Sequence, residues 1–219
     1  VQLWDGRAVQ NLGRAATAVR LSSTHLAALA SEAGDGAIYN DDGDRNDTVV
    51  QVRKLTDTQW TNLAQAADAL DLKGSTVAFI TPESAQGSDS INGDGDTSDR
   101  VLQVASATTG KIALGRNTTP RALAAEEFVL GEAADTACGK RQLVAFRVSE
   151  SAEGAGSLNT GDADTSDDVL FVYDVITGEL FNTGQAVTPC TLEACDPRQP
   201  YRVAGSRVTF LTYEPDQGV

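Results

Sequence analysis

Three stretches of this chain carry one pattern, and that recurrence limits the fold more than any other feature. The pattern is an apolar run, a Glu, a small and Gly-rich link, an Asp-rich loop, then a second apolar run. The first copy is LAALASEAGDGAIYNDDGDRNDTVVQV, from Leu26 to Val52. The second is VAFITPESAQGSDSINGDGDTSDRVLQV, from Val77 to Val104, and the third is VAFRVSESAEGAGSLNTGDADTSDDVLFVYD, from Val144 to Asp174. The matching residues Asp42, Asp94 and Asp162 are 52 and then 68 positions apart, so the third copy holds an insertion. Self-similarity of this kind builds stacked copies of one supersecondary unit.

Each unit also has a strand on either side of this pattern. In the second, Ala69 to Leu72 turns at Lys73-Gly74 into Val77 to Ile80; after the loop, Val101 to Ala105 turns at Thr109-Gly110 into Ile112 to Leu114. The third repeats this with Val169 to Tyr173, the turn Thr177-Gly178, and Leu180-Phe181. Four short strands per unit predict an all-β fold, a β-propeller of four-stranded blades with the Asp loops between second and third strands. The expected blades cover 13–63, 67–116 and 122–187. Alternation such as Val101, Gln103 and Ala105 against Leu102 and Val104 predicts strands with unequal faces. Aromatics are 5% of the chain and Met is absent. The expected core is therefore Val, Leu, Ile and Ala, with rings from Phe79, Phe146, Phe171 and Phe210.

The ends read as complementary half-blades, 1–12 and 200–219. Val1-Gln2-Leu3-Trp4-Asp5-Gly6 resembles the strand and turn that follow a loop, while RVTFLTYEPDQG, from Arg207 to Gly218, matches TVAFITPESAQG, which precedes one. Three arrangements fit this: a four-bladed ring closed by its own ends, a polymer in which each copy completes the next, or a piece of a six- or seven-bladed propeller.

The loops carry the chemistry. Asn92, Asp94, Asp96 and Asp99 recur at a spacing that turns successive side-chain oxygens toward the inside of a tight loop, with Gly93 and Gly95 free to take positive φ. Asn40, Asp42, Asp44 and Asp47 share the register. In the third loop Asp162, Asp164 and Asp167 keep it, but Thr160 stands where Asn92 does, with Asn159 beside it, and slightly different coordination is expected. Glu32, Glu83 and Glu150 precede the loops and are candidates for a further carboxylate. Oxygen-only donors suit a hard cation, Ca²⁺ before Mg²⁺, at about three sites. Carboxylates packed in one turn repel one another, so a cation is expected to hold each loop closed. The plainer reading, solvated hairpin turns, also accounts for Asn, Asp and Gly, but not for three loops in register between matching strands. The EF-hand pattern fits poorly: Gly falls at the wrong loop position, no Glu closes the loop, and strands flank it.

Acidic residues outnumber basic ones 31 to 17, a formal charge of −14. That argues against nucleic acid and anionic membrane surfaces as partners. No apolar run is long enough for a membrane span. The absence of Met, even at position 1, is expected of a processed product or a segment of something longer. A secreted or cell-surface location follows as an expectation, and three cysteines point the same way. A small Cys190–Cys195 disulfide is expected, with Cys138 to either as the rival pairing. The single His25 starts a predicted strand and is placed on its polar face, which leaves no partner for a catalytic Cys or for zinc.

NGDGDTSDRVLQV and GDADTSDDVLFVYDVITG resemble the calcium-loop β-propeller repeats of secreted and surface bacterial proteins and, more distantly, integrin-type propeller repeats. The resemblance implies a propeller, calcium held by the loop Asn and Asp residues, and adhesive or structural roles. The loops depart from the integrin type by one extra residue before the last Asp and by lacking a preceding Phe-Gly. The expected function is a non-catalytic structural or assembly protein, self-associating or joined to other surface proteins. The alternatives are a module binding carbohydrate or protein, and an extracellular hydrolase or lyase.

Overall fold

The computed structural model describes residues 1–87, 90–159, 161, 163–187, 201–212 and 217. Strands β1 (Gln2–Trp4) and β2 (Val9–Asn11) form a hairpin. The first repeat is β3 (Ala16–Leu21), β4 (His25–Ser31), the one-turn helix α1 (Glu32–Asp35), β5 (Thr48–Lys54) and β6 (Thr61–Ala66). The second is β7 (Ala69–Lys73), β8 (Thr76–Pro82), a 3-10 turn (Glu83–Gln86), β9 (Arg100–Ser106) and β10 (Ile112–Leu114). The third is β11 (Phe128–Leu130), β12 (Ala134–Thr136), β13 (Gly139–Arg141), β14 (Leu143–Ser149), the one-turn helix α2 (Glu150–Glu153), β15 (Asp168–Asp174) and β16 (Glu179–Ala186). Strands β17 (Arg202–Ala204) and β18 (Arg207–Thr209) form a last hairpin.

Each repeat is one antiparallel four-stranded sheet, in the orders β3-β4-β5-β6, β7-β8-β9-β10 and β11-β14-β15-β16. The insertion in the third repeat lies between its first and second strands and includes the separate β12–β13 hairpin. The two terminal hairpins are sheets of their own and do not pair with each other.

The expectation of unequal strand faces is corrected. The central strands are buried on both sides, because the sheets stack face to face in chain order. Val77 and Phe79 of β8 pack on Leu29, Val50 and Val52 of the first repeat. The intervening Ala78 and Ile80 pack on Val144, Phe146 and Val169 of the third. Leu170 and Ala145, on the far side of the third sheet, pack on Tyr201, Val203 and Val208 of the last hairpin. Phe210 is only partly buried there. Alternate residues therefore serve two different cores, and a period-two pattern vanishes when both are apolar.

His25 is a second correction. It does start a strand, but it is buried, between Thr24 Oγ1 at Nδ1 (2.8 Å) and Thr108 Oγ1 of the second repeat at Nε2 (3.2 Å). Burial, and then the nearby Lys54 charge, lower its pKa. No helix among the described residues is long and apolar enough to cross a membrane.

Candidate metal centres

The second strand of every repeat runs into a single helical turn that opens with a Glu, and this places the Glu beneath the Asp loop. Glu32 and Glu83 are fully buried and Glu150 nearly so. Their own N–H groups donate to the carbonyls of the closing Asp residues, Asp47 (3.1 Å), Asp99 (2.9 Å) and Asp167 (2.9 Å). One carboxylate oxygen of each Glu accepts N–H groups at the start of the loop. Glu32 takes Tyr39, Glu83 takes Ile91 and Asn92, and Glu150 takes Leu158 and Asn159. The loop is thus stitched to the Glu at both ends.

Within the loops, side chains fold onto the backbone two residues on. Asp42 and Asp94 accept from Asp44 and Asp96 N–H (both 3.0 Å), and Asp44, Asp96 and Asp164 accept from Asn46, Ser98 and Ser166 N–H. Gly95 supplies a positive φ of 107° at one of these turns, and Asp41 adopts φ 63° where the second loop has Gly93. The result gathers Glu32, Asp42, Asp44 and Asp47 so that one carboxylate oxygen of each lies within 4.8 Å of the others. Glu83, Asp94, Asp96 and Asp99 do the same, as do Glu150, Asp164 and Asp167.

Asn40, Asn92 and Asn159 are buried beside these clusters. Each donates from Nδ2 to the closing Asp: Asp47 (3.3 Å), Asp99 (3.0 Å) and Asp167 (2.9 Å). Asn159 rather than Thr160 therefore fills the place of Asn92, at the cost of one extra residue before the closing Asp. Asp162 and Thr160 lie outside the described residues.

Among the described residues, Glu32 Oε2, Glu83 Oε2 and Asn40 Oδ1 are buried without a hydrogen bond. A polar oxygen buried without a partner costs roughly 1–3 kcal/mol. A cation is the partner of opposite charge for a cluster of carboxylates, so the residues fit one. The electrostatics agree. Burial, reinforced by the Asp42 carboxyl, raises Asp47 to about 6. Burial and the Asp94 carboxyl raise Asp99 to about 7. The Asp44 N–H holds Asp42 down. Asp94 is lowered as well, because hydrogen bonds led by Asp96 N–H outweigh its burial. The third cluster differs, since Glu150 Oε2 accepts Asp167 N–H (3.2 Å).

Two sets of supporting residues escaped the sequence reading. Asn62 and Asn182, on the fourth strands, donate from Nδ2 to the carbonyls of Tyr39 (2.7 Å) and Leu158 (2.8 Å), just ahead of the loop Asn residues. Each also accepts the N–H two residues on, at Ala64 and Gly184, as Asn11 does from Gly13. The signal was present as NLGRA, NLAQA and NTGQA. The last residue of each of the three described helical turns, and Gln217 in the same way, brackets the preceding repeat. Asp35, Gln86, Glu153 and Gln217 accept the N–H of Ala15, Ala66, Ala124 and Ala186, all at 2.7 to 2.8 Å. Burial pushes Glu153 up to about 7.

Cys138 is a free, exposed thiol; Cys190 and Cys195, and with them the expected disulfide, lie outside the described residues. No protein-family model matches the chain, and no curated protein matches it.

Proposed function

We propose that this chain is a secreted, calcium-binding repeat protein of β-propeller type with a structural, non-catalytic role. The observation that carries the cation reading is that Glu32 and Glu83, each with one buried oxygen lacking a hydrogen bond, also each bring a carboxylate oxygen within 4.8 Å of those of three Asp residues. Four carboxylates and an amide oxygen offer more protein donors than Mg²⁺ takes and suit the larger, flexible shell of Ca²⁺. Three such ions would move the formal charge from −14 to −8. The non-catalytic reading is supported by where the acidic side chains go: they converge in cages instead of facing each other across a cleft.

Assembly of copies is supported by two open surfaces that match. A groove of about 640 Å³ is lined by Leu170, Val172, Phe181 and Thr183 of the third repeat and by Val208 and Phe210. The corresponding space between the first two repeats is filled by Ala105 and Ala107, from β9 onward. Val1-Gln2-Leu3 repeats Leu102-Gln103-Val104, and Trp4 and Val9 of the first hairpin are 69% and 67% exposed. That hairpin is the right module for the groove of a neighbouring copy, with Trp4 opposite Val208 in the register Ala105 has with Val77.

Sizing by light scattering tests this. The native chain is expected to form assemblies in millimolar calcium that Trp4→Asp or Phe181→Asp reduces to monomers with calcium-dependent melting intact. A native chain of monomer size at every concentration contradicts the assembly reading and leaves the cation reading standing.

A further inference from the structure

In the first two repeats, one side chain belongs both to the ion cage and to the joint with the following repeat. Asn40 donates from Nδ2 to the Ala85 carbonyl (2.8 Å) in the 3-10 turn of the second repeat. Asn92 donates to the Ala152 carbonyl (3.4 Å) in α2 of the third. The turns gripped in this way begin with Glu83 and Glu150, which face the next cages. Packing repeats the theme: a Cβ added at Gly87 or Gly154, just past each turn, would lie 3.7 Å from the Cβ of Asp42 or Asp94. A continuous series of contacts therefore runs from the first cage through Ala85 and Glu83 to the second, and through Ala152 and Glu150 to the third.

At the other end of these amides, Asn40 Oδ1 is buried and unpartnered, while Asn92 Oδ1 accepts the Ser90 hydroxyl (3.2 Å) and the Asp94 N–H (3.3 Å). We propose that Asn40 and Asn92 transmit ion occupancy from each repeat to the next, so that the cages fill cooperatively and calcium locks the joints between repeats. A cation drawing on the amide oxygen polarises the whole amide, and its N–H becomes a stronger donor to the next turn. That turn then holds its Glu in place for the following ion. Coupling of this kind is reciprocal, so emptying the second cage must also weaken the first. The bracketing contacts, such as Gln86 Oε1 on Ala66 N–H, involve no cage atom and hold the repeats in register with or without ions.

The inference rests on the proposed cation binding, and its test separates the two. Asn40→Asp combined with Asn92→Asp keeps an oxygen for each cage and removes the Nδ2 donor; Asn40→Thr with Asn92→Thr does the same without added charge and guards against misfolding of the acidic variant. Calorimetric calcium titration and hydrogen exchange of residues 83–86 and 150–153 are the readouts. In the native chain, binding is expected to be cooperative, with calcium slowing exchange in both turns. In the variants, whose cages also lose the Nδ2 donors to Asp47 and Asp99, the ions should bind more weakly but independently of one another, with that slowing reduced about 5- to 150-fold, the usual span of coupling between sites. Variants as cooperative as the native chain, or turns that calcium protects equally in both, overturn the coupling while leaving cation binding intact. A native chain that binds no calcium overturns both.

Discussion

At the scale of single residues, the closing aspartates stand apart from the other carboxylates of their loops. Asp47 and Asp99, raised to about 6 and about 7, hold protons that the unfolded chain releases at lower pH. A folded-state pKa raised above the unfolded value means stability that is full at acid pH and is lost as pH rises through the raised values. The metal-stripped protein is therefore expected to melt at higher temperature at pH 5 than at pH 8. Calcium should reverse that order, because the ion displaces the same protons. Scanning calorimetry at the two pH values checks this; a stripped protein equally stable at both would contradict it.

The loop Asp residues were legible in the sequence because their alternate spacing is local and recurs three times. Glu32, Glu83 and Glu150 were legible as candidates by position, but not their burial, which depends on the helical turn that folds them under the loop. His25 was misplaced because its polarity points outward, whereas Thr108, 83 residues away, covers it.

At the scale of elements, the central strands and their turns were readable to within one or two residues, since apolar runs punctuated by Lys-Gly and Thr-Gly allow few alternatives, whereas Leu180-Phe181 belong to a longer strand and the β12–β13 hairpin was not foreseen. What connects the elements was not readable. Asn62 acts on a loop carbonyl 23 residues earlier in the chain, and the brackets join residues of different repeats. Their geometry makes a prediction. Ala64 sits at φ 54°, where the equivalent Gly13 and Gly184 have 67° and 65°. A side chain in that left-handed region costs roughly 1–2 kcal/mol, and the extra chain entropy of glycine offsets about 0.5–1 kcal/mol of any relief. Ala64→Gly is expected to stabilise the protein by about 0.5–1 kcal/mol, raising the melting temperature by about 1–4 °C. Urea unfolding measures it, and a loss of stability would show that the methyl group, not the backbone, governs this site.

At the scale of the whole molecule, three sheets stack in chain order, and the acidic cages of the first two are seated against the next repeat. Burial on both faces makes the repeats dependent on their neighbours. On the proposed function the cages would add a second dependence, on a cation bound only by the folded chain, worth about 2.7 kcal/mol for each site filled at a hundred times its dissociation constant. Counting the ions tests the account most directly. Equilibrium dialysis against millimolar calcium is expected to reach about three ions per chain, falling by one in Glu32→Gln and by one in Glu83→Gln. A native chain that takes up none, or variants that bind as many ions as the native chain, would contradict it.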